Sequence, residues 1–83
     1  MFDVDAYADK YDVDLYVMEP RFRYDPCIVR VDRLEEGIHI VVYSWTASVR
    51  ACMEENDWSY ADAAEWMSDN EGMWTFNDEE GEE

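Results

Sequence analysis

The spacing of apolar and polar residues changes character along this chain, and each change predicts an element. From Cys27 to Trp45, CIVRVDRLEEGIHIVVYSW, two runs rich in β-branched and aromatic residues flank the short polar segment Arg33-Leu34-Glu35-Glu36-Gly37. Such runs, joined through a polar stretch that ends in glycine, predict a β-hairpin with strands at 27–32 and 38–45. Upstream, residues 11–18 alternate strictly, with Tyr11, Val13, Leu15 and Val17 on one side and Asp12, Asp14, Tyr16 and Met18 on the other. That period of two predicts a further half-buried strand. The segment partly repeats an earlier one, FDVDAY at 2–7 against YDVDLY at 11–16. In the first copy Val4, Tyr7, Ala8 and Tyr11 form a helical stripe with Asp3 as N-cap, so a short helix is expected there.

After the hairpin the period becomes helical. In TASVRACMEEN, 46–56, Val49, Cys52 and Met53 recur at i, i+3 and i+4; Ser44 or Thr46 can cap the start and Asn56 the end. Ser59 to Asn70 predicts a second helix, with Ser59 as N-cap, Asp62 three residues on, three alanines, and Gly72 beyond its end. Tyr60, Ala63, Ala64 and Met67 would share one face of it, and Asp62, Glu65 and Asp69 another. Met73 to Phe76 can add a short strand or pack over the core. The expected architecture is α+β: a small antiparallel sheet of about three strands, 11–18, 27–32 and 38–45, with two C-terminal helices packed on one face. Residues 1–76 would form a single domain, and 77–83, NDEEGEE, a flexible acidic tail.

Charge changes this picture more than any motif does. The chain has 83 residues, 48% hydrophobic and 16% aromatic, so it is expected to fold around a small core. Yet 22 acids stand against 6 Lys and Arg, a formal charge of −16. Residues 1–26 carry −4, residues 27–45 carry −1, and residues 46–83 carry −11, with Arg50 the one base against 12 acids. A chain so charged is repelled by nucleic acid and by anionic membrane and is drawn to surfaces built to bind them. A basic partner is favoured, with no direct nucleic-acid or membrane contact.

Candidate chemistry of other kinds is thin. His39 stands in a predicted strand, no serine sits in a nucleophile motif, and three glycines make no phosphate loop, so neither an enzyme nor a cofactor is expected. Asp3/Asp5 and Asp12/Asp14 lack the loop pattern of a calcium site, which leaves only weak, adventitious cation binding. Cys27 and Cys52 define no zinc site or disulfide framework, though the two could pair across the fold. With no basic and apolar leader and no membrane-length apolar run, a cytoplasmic protein is expected. Between Pro20 and Pro26, a loop or edge crossing, Arg21, Phe22, Arg23 and Tyr24 have two readings. They form a small anion or aromatic contact site, or the arginines neutralise nearby carboxylates.

The acidic half also holds Trp58, Trp66 and Trp74, eight residues apart. Any of them can serve the core; Trp58 and Trp66 are the candidates for exposed aromatic anchors ringed by acids. On a helix Asp62, Glu65 and Asp69 fall about 4.5 and 6 Å apart along the axis, a sparser row than the charge about every 3.4 Å along one DNA strand. Glu54, Glu55, Asp57 and Glu71 would thicken that row. A charged stripe is also what any solvated helix face looks like.

In size, charge and layout the chain, through EENDWSYADAAEWMSDNE at 54–71 and NDEEGEE at 77–83, resembles the small acidic inhibitors that phages direct against host defences. Anti-CRISPR proteins, anti-restriction proteins and the uracil-DNA glycosylase inhibitor belong to that group. The resemblance implies a stoichiometric inhibitor whose carboxylates imitate nucleic-acid phosphates on a basic host protein, first of all a CRISPR effector component, in the cytoplasm of an infected cell. The expected partner-binding residues are Glu54, Glu55, Asp57, Trp58, Asp62, Glu65, Trp66, Asp69 and Glu71, on a monomer or homodimer. Two alternatives stand beside it. The acidity can serve solubility in a halophile, or the chain can be an interaction module, such as an antitoxin or assembly subunit, anchored by an exposed tryptophan.

Overall fold

The computed structural model describes residues 2–77. The hairpin is there: β1, Ile28–Glu35, pairs antiparallel with β2, Ile38–Ser44, around Glu36-Gly37. Gly37 takes φ +81°, a left-handed conformation that a side chain would resist. The register runs from Arg30↔Val42 to Arg33↔His39 without interruption, with irregularities on either side, between Ile28 and Arg30 and between Arg33 and Glu35.

The third strand is not the expected one. β3, Thr75–Asn77, lies beside β2 and parallel to it, giving a mixed sheet in the order β1-β2-β3 rather than an antiparallel one. Parallel neighbours need a long crossover, and the two helices between β2 and β3 supply it. Residues 11–18 join no ladder of the described sheet. Tyr11 ends α1, Val4–Tyr11, and Asp12 caps it in the left-handed conformation at φ 55°. From Val13 onward the chain is extended, with Val13, Leu15 and Val17 half-buried and Asp14 and Tyr16 exposed. The alternation was real, but it reports an extended segment lying against the core and not strand pairing. Met18 breaks the phase and is buried, its N–H donating to the Tyr43 hydroxyl at 2.8 Å.

Caps set α1 and the two C-terminal helices where the sequence places them, whereas the segment 20–26, expected as a loop or edge crossing, forms a short helix with no side-chain cap bond. Asp3 accepts from the Ala6 N–H at 3.0 Å to start α1. The short α2, Arg21–Tyr24, follows Pro20, and a single 3-10 turn, Asp25–Cys27, leads into β1. Ser44 accepts from Ala47 N–H and starts α3, Trp45–Asn56, so Trp45 belongs to the helix and not to the strand. Asp57 ends α3 at φ 59°, and the Asn56 side chain donates back to the Cys52 carbonyl. Ser59 accepts from Asp62 N–H to start α4, Tyr60–Asp69.

One core joins these elements. Val41 and Tyr43 from β2, Val49 and Cys52 from α3, and Ala63 and Met67 from α4 are buried in the same cluster, with Met18, Tyr24 and Trp74. Cys27 and Cys52 are both buried as free thiols, and burial pushes the Cys27 thiol up. Burial likewise pushes the Tyr24 hydroxyl up, with Cys52 beside it adding to the effect.

Candidate functional site: the acidic face of α3 and α4

The site is built from the end of α3, the turn after it, and α4. Ala63 and Met67 are fully buried and fix the inner side of α4, so positions 62, 65 and 69, which fall together on a helical projection, point to solvent. Asp62, Glu65 and Asp69 are all exposed, as are Glu54, Glu55, Asp57 and Glu71. Tyr60, expected on the inner face, is instead 57% exposed. It occupies the first turn, beyond the reach of the core, where its hydroxyl meets the Trp45 indole N–H at 3.4 Å.

These seven carboxylates are not equivalent. Arg23, on α2, lies 3.4 Å from Glu54 and 2.6 Å from Glu55, and so neutralises part of the row. Glu71 accepts from the Thr75 hydroxyl at 2.9 Å. Asp57, Asp62, Glu65 and Asp69 form no ion pair with any described residue. With Glu71, whose partner Thr75 is a neutral hydroxyl, they are the acids of this row that no described cation pairs.

The arginines of 20–26 therefore take the second of their two readings. Arg21 pairs with Asp5 at 2.9 Å and with Asp25 at 3.0 Å, and these bonds raise its pKa further. Tyr24 is buried at 2% exposure, which removes it from any surface site, and Phe22 alone of the four remains freely exposed. Asp5 is thus engaged by Arg21, and the Asp3 carboxylate accepts the capping bond. Among the described residues no cluster of three or more His, Cys, Asp or Glu is arranged to hold a metal ion.

Of the tryptophans, Trp58 is exposed at 38%, in the turn between Asp57 and the Ser59 cap, with its N–H bonded to the Met53 carbonyl. Trp66 is only half-exposed because it packs against the core, so it presents less of its ring than an exposed anchor requires. Trp74 is buried and Trp45 stands edge-on to Phe76 at 5.3 Å. The acidic tail lies outside the described residues from Asp78 onward.

Sequence reasoning missed a second surface feature. A cleft of about 450 Å³ is lined by Tyr11, Val13, Arg33, Glu35, Glu36, Gly37 and His39. The Tyr7 hydroxyl meets His39 Nδ1 at 2.7 Å, and Lys10 and Arg33 both stand over the Tyr11 ring, at 5.3 and 5.9 Å. No signal in the sequence joins these residues, since α1 and the hairpin meet only in the fold. None of them belongs to the acidic row. No helix among the described residues is long and apolar enough to cross a membrane. The chain matches no known protein family, no curated protein and no solved structure.

Proposed function

We propose that this protein is a stoichiometric inhibitor that presents carboxylates in place of nucleic-acid phosphates and occupies the nucleic-acid-binding surface of a basic host protein. A CRISPR effector component, a restriction enzyme and a repair enzyme are the partner classes the chemistry fits. The observation that carries the reading is the row Asp57, Asp62, Glu65 and Asp69, exposed and without a described cation, the last three on the helix anchored by Ala63 and Met67 and Asp57 at the end of α3 before it. Glu71 extends it, and so do Glu54 and Glu55, whose charge Arg23 partly offsets. On this reading both C-terminal helices pack on one face of the sheet, and the nearly neutral hairpin serves as their rigid support. The protein acts by occupancy, without catalysis or cofactor.

A carboxylate row of this kind associates fast, and its affinity falls as salt screens it. Reversal of Asp62, Glu65 and Asp69 to Lys should abolish binding to the basic partner and leave the circular dichroism spectrum unchanged. Equal binding by the triple variant removes α4 from the mechanism. A second reading is favoured by Trp58, exposed in the turn: a protein-interaction module anchored by that indole. There Trp58→Ala would weaken binding more than the triple reversal does, and salt would matter little.

A further inference from the structure

β1 is an edge strand eight residues long, with β2 on one side and no described strand on the other. Val29 and Leu34 on it are 40% and 61% exposed, and Ile38 across the turn is 49% exposed. Exposed edges offer unpaired N–H and C=O groups to any other strand, and folded proteins commonly blunt them with lysine and other charges, proline or β-bulges; on β1 the irregularities stand at the two ends and leave Arg30–Arg33 regular. Here the charges alternate in sign. Arg30 and Asp32 stand two residues apart on one face, 2.8 Å from each other, and Arg33 and Glu35 follow. The strand sums to zero in a chain of −16, so it is an approach along which a second copy does not meet excess acid.

We propose that the outer edge of β1 pairs antiparallel with β1 of a second copy, about a two-fold axis at Val31. In that register Val31 lies opposite Val31 of the second copy, Arg30 opposite its Asp32, and Val29 opposite its Arg33. The two existing Arg30–Asp32 pairs then close into a ring of four alternating charges. Neighbouring registers are worse for stated reasons. Centring on Arg30 sets arginine against arginine, and centring on Asp32 sets aspartate against aspartate, each a like-charge pair directly opposite. Registers shifted by an odd number turn one copy over, so that its core-facing side chains lie beside the other's outward ones. The residues Arg30–Asp32, regular on both copies, carry the pairing; Arg33 faces Val29, which lies in the irregularity before Arg30, so the pairing is short. An interface this short falls below the standard size for a stable complex, so the dimer exchanges with monomer and depends on concentration. The remaining charge of the two copies repels, so added salt tightens this dimer. That is the opposite sign from binding by the acidic face, and the inference stands independently of the proposed function.

The test is sedimentation equilibrium of the full chain across a concentration series at low and high salt. The wild type should shift from monomer toward dimer with concentration, more strongly at high salt. Arg30→Glu alone and Asp32→Arg alone should each be monomeric, with unchanged circular dichroism, and an equimolar mixture of the two should form a heterodimer because opposite charges again face each other. A wild type that stays monomeric at every concentration and salt overturns the proposal. Single variants that self-associate as well as the wild type, or a mixture that fails to pair, overturn the register.

Discussion

The Tyr43 hydroxyl accepts the backbone N–H of Met18 at 2.8 Å, with both residues fully buried. This contact ties the extended segment before α2 to β2 where no strand ladder does so. Tyr43→Phe keeps the ring and removes the acceptor, leaving a buried donor unsatisfied. The expected loss is about 1–3 kcal/mol of stability. Urea unfolding of the variant measures it, and a midpoint equal to that of the wild type would mean that the segment is held by packing alone.

The same tyrosine sets an alkaline limit. Burial pushes its pKa up to about 12 from an ordinary value of about 10. The folded state therefore holds the phenol proton where the unfolded state has lost it. Stability from this source is complete below about pH 10 and declines as pH rises from there toward 12. Tyr24, raised by burial in the same sense, adds to the decline. Thermal unfolding across the alkaline range should show a falling midpoint, and a midpoint that climbs above pH 10 would contradict the assignment.

Substitution of Met67 would separate folding from the proposed recognition. The side chain is fully buried under α4, and Met67→Ala should cost about 2–5 kcal/mol through lost contacts and the cavity left behind. Below the variant's unfolding temperature the acids on the far side of the helix are still displayed, so partner affinity should be unchanged once the folded fraction is counted. An affinity loss beyond that fraction would place the inner face of α4 in the interface.

Arg23 restrains the acidic row by holding Glu54 and Glu55. Arg23→Ala should cost no more than about 1 kcal/mol, since the pair is partly solvated. It should also speed association with a basic partner and steepen its salt dependence, because two carboxylates lose the cation that offsets them. Slower association on stopped-flow would show that the row works only as Arg23 arranges it.

What the sequence made legible followed from local chemistry. The caps at Asp3, Ser44 and Ser59 bound the helices to within a residue or so, because each side chain meets an N–H only two or three positions away. The hairpin was equally readable from its apolar runs and Gly37. The third strand was not. Val13, Leu15 and Val17 carry the period of a strand, yet the place beside β2 goes to Thr75–Asn77, brought back by α3 and α4. Alternation reveals which side of a backbone is buried and says nothing of what its N–H groups pair with. In the candidate site, the exposure of Asp62, Glu65 and Asp69 followed from helical spacing, whereas the pairing of Arg23 with Glu54 and Glu55 joins residues about thirty positions apart and needed the fold.

On the proposed function the acids of α4 stand in for phosphates. That imitation is tested most directly by displacement of a labelled DNA duplex from purified nucleic-acid-binding proteins of the three proposed classes, followed by fluorescence anisotropy. The wild-type chain should release the duplex from at least one of them, less effectively as salt rises, and the Asp62→Lys, Glu65→Lys, Asp69→Lys variant should release none. Release by that variant as complete as by the wild type, or no release by the wild type from any of the three, would contradict the account.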